Sequence, residues 1–219
     1  MSAAERPYAG QTPSQRSAAR RAALLVAAQQ AIAADGWRSL TVEVLCRRAG
    51  VNKRYFYESF SDLDELAQAL VDALVGELLE VASRVDPHAP LPTLVQATLG
   101  EIIRWMTDEP ERAQLLFGEM GSSPALAQHR SDAQRRLADA IGRHARSVHS
   151  EAPSDDPITE LTSSALVGTL GRVVLDWLDG NIAMPREQLI EDLTRLWLLL
   201  GDGGAQIAVD RAPGPGSAL

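Results

Sequence analysis

The chain has 219 residues, which is enough for one large or two small domains with a buried core. Its formal net charge of -8 is unevenly spread: residues 1–60 carry nine Lys or Arg against four Asp or Glu, a net of +5, and residues 61–219 carry a net of -13. The single cysteine, Cys46, excludes a disulfide framework and a thiolate metal cluster, and no secretory signal or long apolar run is present, so we expect a cytoplasmic protein without a membrane span whose basic end meets a polyanion.

Three helices are predicted in the basic part of the chain. Residues 1–16 contain Pro and Gly without apolar periodicity, and we expect a disordered leader there. Helical spacing of apolar residues follows, and Gly36 is a stop signal. Thr41 and Asn52 are typical caps, and Gly50 separates the two segments that they begin. The predicted helices are 17–35, 42–48 and 53–59.

Residue 61 onward has helical periodicity almost throughout. A fourth helix is predicted from Ser61 to about Val85, because leucines recur there at helical spacing. Breakers containing Pro or Gly separate five further segments, and no segment alternates with period two. We therefore predict an all-α fold with an N-terminal three-helix helix-turn-helix domain at 17–62, a C-terminal helical domain at 63–204 and a flexible tail at 205–219. The five further helices are predicted at 92–108, 110–119, 124–149, 157–179 and 186–200.

The third helix carries the strongest functional signal. Residues 50–60 hold four of the ten aromatic residues and the only lysine of the chain. Phe56 and Phe60 lie one turn apart and should anchor the helix inward. Lys53 and Arg54 occupy its first turn, which reaches base edges when the second helix of a helix-turn-helix lies in the major groove. The planar fork of Arg54 suits the two acceptors of guanine.

Residues 17–66 resemble the DNA-binding domain of the TetR family of transcriptional regulators. The matching features, in family order, are Gly36, Thr41, Ala49-Gly50-Val51, Tyr57, Phe60 and Leu66. The resemblance implies that Thr41 and Tyr57 contact phosphates and that Lys53, Arg54 and Tyr55 face the groove. Basic residues at the start of helix one fit a phosphate-contacting arm, although an exposed charge run is the alternative. The DNA-contact candidates are Thr41, Asn52, Lys53, Arg54, Tyr55, Tyr57, Arg16 and Arg20.

Two positions depart from the family pattern. Leu63 stands where many members have a phosphate-contacting lysine at the start of helix four. Glu43 stands where some members have a base-reading arginine on helix two. Glu43 could accept from cytosine, but we favour the simpler interpretation that it stabilises the start of its helix.

The resemblance implies that the C-terminal domain binds a small molecule and dimerises. Large, adaptable side chains near helix breaks are candidates for the pocket wall, with plain core as the alternative: Trp105, Met106, Phe117 and Met120. The last two helical segments fit a dimer interface, because one has small residues near one another and the other ends apolar on all sides. Burial within one subunit is the alternative. The interface candidates are Gly168, Gly171, Trp177 and Trp197.

The sequence offers no catalytic constellation, metal site or cofactor motif. The four histidines lack metal-ligand spacing, and Ser122 and Ser123 lack a nucleophile elbow. We therefore expect a ligand-responsive transcriptional regulator, most simply a repressor. It would bind a palindromic double-stranded DNA operator as a homodimer and be released by a small-molecule effector. The alternative is a helical protein-interaction module with no DNA function.

Overall fold

The computed structural model describes residues 12–118, 123–148 and 156–212. All regular structure in these ranges is helical, so the all-α prediction is confirmed for the described chain. A short 3-10 turn at Trp37–Ser39 follows the first helix. The helices are α1 (Pro13–Asp35), α2 (Val42–Ala49), α3 (Lys53–Ser59), α4 (Leu63–Ser83), α5 (Leu91–Asp108), α6 (Pro110–Phe117), α7 (Pro124–Val148), α8 (Ile158–Leu178) and α9 (Arg186–Arg211).

The chain divides into two compact units, and the first is built on α1, α2 and α3. It comprises the residues up to Asp72 together with residues 123–127. Each of these three helices packs on the other two. The unit reaches ten residues beyond the expected domain end at 62, because the first turns of α4 bury Leu66, Ala67 and Leu70. These residues form one apolar face at helical spacing.

The second unit contains the rest of α4 and the helices from α5 to α9. In it α9 packs along α5 and α8, and α6 packs on α8. Side chains of α7 reach the end of α6: Gln134 Nε2 donates to the Leu116 carbonyl at 2.9 Å, and Arg130 donates to the carbonyl of Gly118. These bonds satisfy carbonyls that the end of a helix leaves without partners.

Helix α1 begins earlier than the sequence analysis predicted. The expected leader extended to residue 16, whereas the helix starts at Pro13 with Thr12 as its cap. Thr12 Oγ1 accepts from the Gln15 backbone N–H at 3.2 Å, and Gln15 Oε1 accepts from the Thr12 backbone N–H at 2.8 Å. This reciprocal capping box, with proline at the first helical position, determines the start of the helix. Residues 1–11 of the expected leader lie outside the described residues.

Helix α9 continues eleven residues beyond the predicted end at 200. The helix runs through Gly201, Gly203 and Gly204 to Arg211, although the expected tail began at 205. A Cβ at buried Gly204 would lie 2.5 Å from Thr162 Oγ1 of α8, so glycine allows the two helices to approach closely. This packing offsets the cost of helical glycine, about 0.5–1 kcal/mol per residue. Residues 213–219 of the expected tail lie outside the described residues.

Helix α8 is long and apolar enough to cross a membrane, with a mean hydropathy of 1.2 over its most apolar window. Just under half of that window is buried inside the protein. Length and composition do not separate a membrane span from the core helix of a soluble protein. The packing of α8 against α6 and α9 accounts for its apolar character.

Candidate nucleic-acid interface

The turn between α2 and α3 is set by caps and one glycine. Thr41 Oγ1 accepts from the Val44 backbone N–H at 3.2 Å, and Asn52 Oδ1 accepts from the Tyr55 backbone N–H at 3.1 Å. Gly50 ends α2 in the left-handed conformation with φ 66°, which costs glycine little. The result is two short helices joined by a tight turn, as the sequence predicted.

Apolar side chains fix one side of this motif against α1. Leu45 of α2 and Phe56 of α3 are wholly buried, and Phe60 is 1% exposed. Cys46 is also buried, and this burial raises the pKa of its thiol, with nearby Lys53 lowering it less. The expectation that Phe56 and Phe60 point inward is confirmed. The opposite side of α3 is therefore the side available to a partner.

Three of the predicted contact residues lie on the outer surface of α3. Lys53 and Arg54 are exposed, with 62% and 83% of their side chains accessible, and Tyr57 is 60% exposed. The rings of Tyr57 and Phe56 are nearly perpendicular, with 5.3 Å between their centroids. Contact with Phe56 restricts the Tyr57 ring, while most of the Tyr57 side chain stays accessible to solvent.

Tyr55 and Arg20 are brought together by the structure rather than placed separately on the surface. The Arg20 guanidinium lies over the Tyr55 ring, 4.3 Å from its centroid, and Tyr55 is half-buried. Arg20 also lies 3.8 Å from the Glu58 carboxylate. One helical position along α1, Arg21 donates to the Ser59 carbonyl at 2.9 Å and lies over the Phe60 ring. These contacts attach α1 to α3, so Arg20 and Tyr55 have a positioning role in the free protein.

The remaining predicted residues lie at helix starts. Thr41 and Asn52 are exposed and use side-chain oxygens as caps. The hydroxyl hydrogen of Thr41 and the amide hydrogens of Asn52 are not used by these caps, since both caps accept rather than donate. Arg16 is half-buried in the first turns of α1. Leu63 begins α4 and is half-buried. A partly packed apolar side chain therefore stands where the family pattern has a lysine.

Each of the two basic side chains of α3 lies near a carboxylate. The sequence analysis did not single out one of these carboxylates, that of Glu58. Lys53 Nζ lies 3.6 Å from Glu43 Oε2 of α2. Arg54 Nε donates to Glu58 Oε1 at 2.9 Å. The four-residue spacing of Arg54 and Glu58 was visible in the sequence and is typical of paired side chains on one helix face. The contact of Glu58 with α1 was not visible, because it depends on tertiary packing.

Comparison with known proteins identifies this domain. Residues 24–70 match the family model described as "Bacterial regulatory proteins, tetR family". The match places the helix-turn-helix domain, and only that part of the chain, in the TetR family. No curated protein matches the chain.

Solved structures of TetR-family and other transcriptional regulators share the fold over most of the chain. One is a transcriptional regulator from Rhodococcus sp. Rha1, with 20% identity, TM-score 0.68, and coverage of 84% of this chain and 96% of that one. Another is a TetR-family regulator from Streptomyces coelicolor, with 16% identity, TM-score 0.67, and coverage of 90% and 91%. The fatty acid degradation regulator from Bacillus halodurans has 17% identity, TM-score 0.69, and coverage of 82% and 94%. At these identities the likeness concerns the fold.

The residues expected to line a ligand pocket have different positions in this TetR-type chain. Met106 is wholly buried in the core of the second unit. Trp105 is half-buried beneath Arg112, whose guanidinium lies 4.8 Å from its ring centroid. Phe117 is half-buried against Gly171, where a Cβ would lie within 2.8 Å of three ring carbons. Met120 lies outside the described residues.

A pocket among the described residues lies instead between α7, α8 and α9. Its polar lining consists of Arg146 and the hydroxyls of Thr159, Thr162 and Ser163. The residues that α9 contributes are all small. The lining is Ile141, Ala145, Arg146, Thr159, Thr162, Ser163, Leu166, Gly201, Gly204 and Ala205. Among the described residues, no group of three or more His, Cys, Asp or Glu is arranged to hold a metal ion.

The four residues expected at a dimer interface do not share one environment. Gly168 is exposed, with nothing within 4 Å of a Cβ placed there. Gly171 is buried under Phe117 of the same chain, so its close approach is used within the subunit. Trp177 donates its indole N–H to the Met184 carbonyl at 2.8 Å. Trp197 is half-buried and its Nε1 is fully buried, with no hydrogen-bond partner among the described residues.

Large apolar side chains are nevertheless exposed on α8 and α9. Leu199 is 69% exposed and Leu161 is 64% exposed. Four of the exposed large apolar residues of α9 recur at the spacing of one helix face and form a stripe, whereas Val209 lies on another face. The stripe of α9 consists of Leu196, Leu199, Leu200 and Ile207.

Proposed function

We propose that the chain is a DNA-binding transcriptional regulator that acts as a homodimer on a palindromic operator. In the simplest form it represses, and a small-molecule effector releases it. The observation that carries this proposal is the face of α3: Lys53, Arg54 and Tyr57 are exposed together while Phe56 anchors the helix from behind. A helix of this kind on a helix-turn-helix fits the major groove.

Charge distribution supports a nucleic acid as the partner. The first 60 residues carry a net of +5, whereas the whole chain carries -8. The exposed caps of α2 and α3, Thr41 and Asn52, retain donor groups for phosphate oxygens. Arg16 and Arg20 of α1 would add phosphate contacts once a duplex is present, and Arg20 would then exchange Glu58 for phosphate. Tyr55 would contact DNA only through its exposed edge.

Selection of bound fragments from random duplexes, followed by binding measurements, tests the DNA function. Arg54→Ala should weaken binding to the selected site by about 1–3 kcal/mol and relax base preference, while affecting random duplexes less. Arg143→Ala, which removes an equal charge from an exposed position on α7, is the matched control. Equal losses on selected and random duplexes would contradict base reading by Arg54. If the wild-type protein bound no duplex at low salt, a protein-interaction module would be the better interpretation.

A homodimer through α8 and α9 is supported by the exposed apolar stripe. Monomeric soluble proteins seldom expose a contiguous row of leucines, and such rows mark interaction surfaces. Gly168 and Leu161 extend the apolar surface on α8, and the stripe on α9 lies on the neighbouring helix. Two copies of this helix pair would form a four-helix arrangement around a two-fold axis. Trp197 would lie at its margin, and Trp177 would support it from within the subunit.

Hydrodynamic mass measurement at several protein concentrations tests the dimer. Leu199→Asp should shift the protein to monomer, because a charge replaces a side chain in the proposed apolar contact. Leu79→Asp on α4 is the matched control, since Leu79 is also an exposed leucine, 44% accessible. A Leu199→Asp protein with the mass and concentration dependence of the control would contradict this interface.

Dimerisation explains how an effector could control DNA binding. Two α3 helices must meet successive major grooves, about 34–36 Å apart. An effector that binds better to a dimer with another spacing would reduce operator affinity. The pocket between α7, α8 and α9 is one candidate effector site. The residues expected from the sequence remain a second, separate set of candidates: Trp105, Met106, Phe117 and Met120. Small molecules, including fatty acids because of the regulator from Bacillus halodurans, should be tested for duplex release and for a shift in melting temperature.

A further inference from the structure

Glu58 and Arg54 both extend from the side of α3 opposite the buried Phe56, and the Glu58 side chain also reaches Arg20 of α1. Each lies two residues from Phe56 in the sequence, so each is rotated about 160° from Phe56 around the helix axis. Phe56 is wholly buried, which defines the inward direction. If α3 lies in the major groove, as the proposed function requires, Arg54 and Glu58 face the groove floor. A carboxylate at that position is unusual for a surface that meets a polyanion.

The Glu58 carboxylate joins α1 to α3. One oxygen accepts from Arg54 Nε at 2.9 Å, and the other lies 3.8 Å from Arg20 Nη2. Arg20 is itself held over the Tyr55 ring. Glu58 is therefore less mobile than an isolated surface carboxylate, with 39% of its side chain accessible, compared with 83% for Arg54.

The contact through Nε gives Arg54 a defined orientation. Guanidinium recognition of guanine uses two parallel N–H donors toward O6 and N7. Glu58 accepts from Nε, and no described contact uses the two terminal nitrogens of Arg54. Glu58 thus holds the arginine by its inner nitrogen and leaves its outer nitrogens for a base.

The chemistry of the groove floor restricts what Glu58 itself can face. Guanine offers only acceptors there, thymine offers an acceptor and a methyl group, and donors come only from the amino groups of cytosine N4 and adenine N6. An ionised carboxylate is acceptor-only. Facing an acceptor or a phosphate costs free energy, because a desolvated charge is then left without a donor.

We propose that Glu58 is a specificity-determining residue for DNA, a role that rests on the proposed function. Its carboxylate accepts from an exocyclic amino group of cytosine or adenine at one position of the operator, and it orients Arg54 toward a neighbouring guanine. On DNA without that amino group it repels the duplex and retains Arg54 and Arg20 in ion pairs. Glu58 therefore lowers affinity for random sequence more than affinity for the operator.

The test compares Glu58→Ala and Glu58→Gln with wild type by random-duplex selection and by binding at several salt concentrations. Both variants should bind random duplex about three- to tenfold more tightly, because Arg54 and Arg20 then no longer form ion pairs with the carboxylate of residue 58. Their salt dependence should steepen by about one phosphate contact. Glu58→Ala should lose base preference at one half-site position, and the ratio of operator to random affinity should fall about tenfold, as for one mismatched pair.

Glu80→Gln is the matched control, since it removes an equal charge from an exposed position on α4. Glu58→Gln keeps the size of the side chain and can recognise adenine, so a gain of adenine at the same position would further support the proposal. The proposal is overturned if both Glu58 variants select the wild-type sequence and change random-duplex affinity no more than Glu80→Gln. Absence of any duplex binding by the wild-type protein would instead refute the proposed function, and with it the role of Glu58. If Glu58→Ala fails to fold, Glu58→Gln provides the same comparison.

Discussion

Replacement of Gly171 by alanine should destabilise the second unit by forcing α6 away from α8. The new Cβ would lie within 2.8 Å of three carbons of the Phe117 ring. Carbon atoms in optimal contact are about 3.5–4.0 Å apart, so a displacement of about 1.5 Å is required for the nearest ring carbon. Overpacking of this kind costs about 1–3 kcal/mol, whereas alanine in place of glycine in a helix contributes about 0.5–1 kcal/mol of stability. Because Phe117 of α6 contacts α8 at this point, the substitution should weaken the packing of α6 on α8.

Urea unfolding at fixed protein concentration measures this effect. Gly76→Ala on α4 is the control, because a Cβ there meets nothing within 4 Å and the backbone is helical. We expect the free energy of unfolding of Gly171→Ala to be lower than that of Gly76→Ala by about 1–3 kcal/mol. Phe117→Leu in the Gly171→Ala background should recover part of the loss, since the ring is the obstacle. A Gly171→Ala protein as stable as the control would refute the reasoning.

Three further predictions concern the first unit. Tyr57→Phe should weaken duplex binding by about 0.5–1.5 kcal/mol, which is the net contribution of one hydrogen bond. Titration of a duplex at several salt concentrations measures this change. Unchanged affinity would exclude a phosphate contact by the Tyr57 hydroxyl. Asn52→Ala should lower the free energy of unfolding by about 0.5–2 kcal/mol, because α3 loses its cap, and Asn52→Asp should lose much less. Hydrogen bonding from the Ser61 backbone N–H lowers the pKa of Glu65, so this carboxylate stabilises the fold above its unfolded-state pKa, and the contribution is lost as pH falls through the folded-state pKa. The difference in unfolding free energy between wild type and Glu65→Gln should therefore shrink in acid, and a difference independent of pH would contradict this assignment.

Local signals in the sequence predicted most of the fold. The caps at Thr41 and Asn52 and the glycine at residue 50 act within a few residues, so the helix boundaries around the turn were correct. The capping box at Thr12 is equally local, but the surrounding Pro and Gly residues obscured it. The continuation of α9 could not be predicted, because the contact of Gly204 with Thr162 joins residues that are far apart in sequence.

The candidate site was predicted less completely, for the same reason. Exposure of Lys53 and Arg54 followed from the burial of Phe56. The stacking of Arg20 over Tyr55 depends on how α1 crosses α3, and helix periodicity does not determine that crossing. In the same way, α1 gives Glu58 a second arginine, which sequence spacing alone could not indicate.

Cys46 makes the stability of the DNA-binding unit accessible to measurement by itself. It is the only cysteine of the chain, and it is buried in α2 with 6% of its surface exposed. A thiol reagent can reach it only when α2 opens, so under fast reclosing the labelling rate is proportional to the open fraction. Because the second unit has no thiol, the rate reports opening around α2 even while α5 to α9 stay folded. A DNA duplex that stabilises the closed motif would slow this labelling, so the reaction rate of a natural cysteine would report DNA occupancy without an engineered thiol.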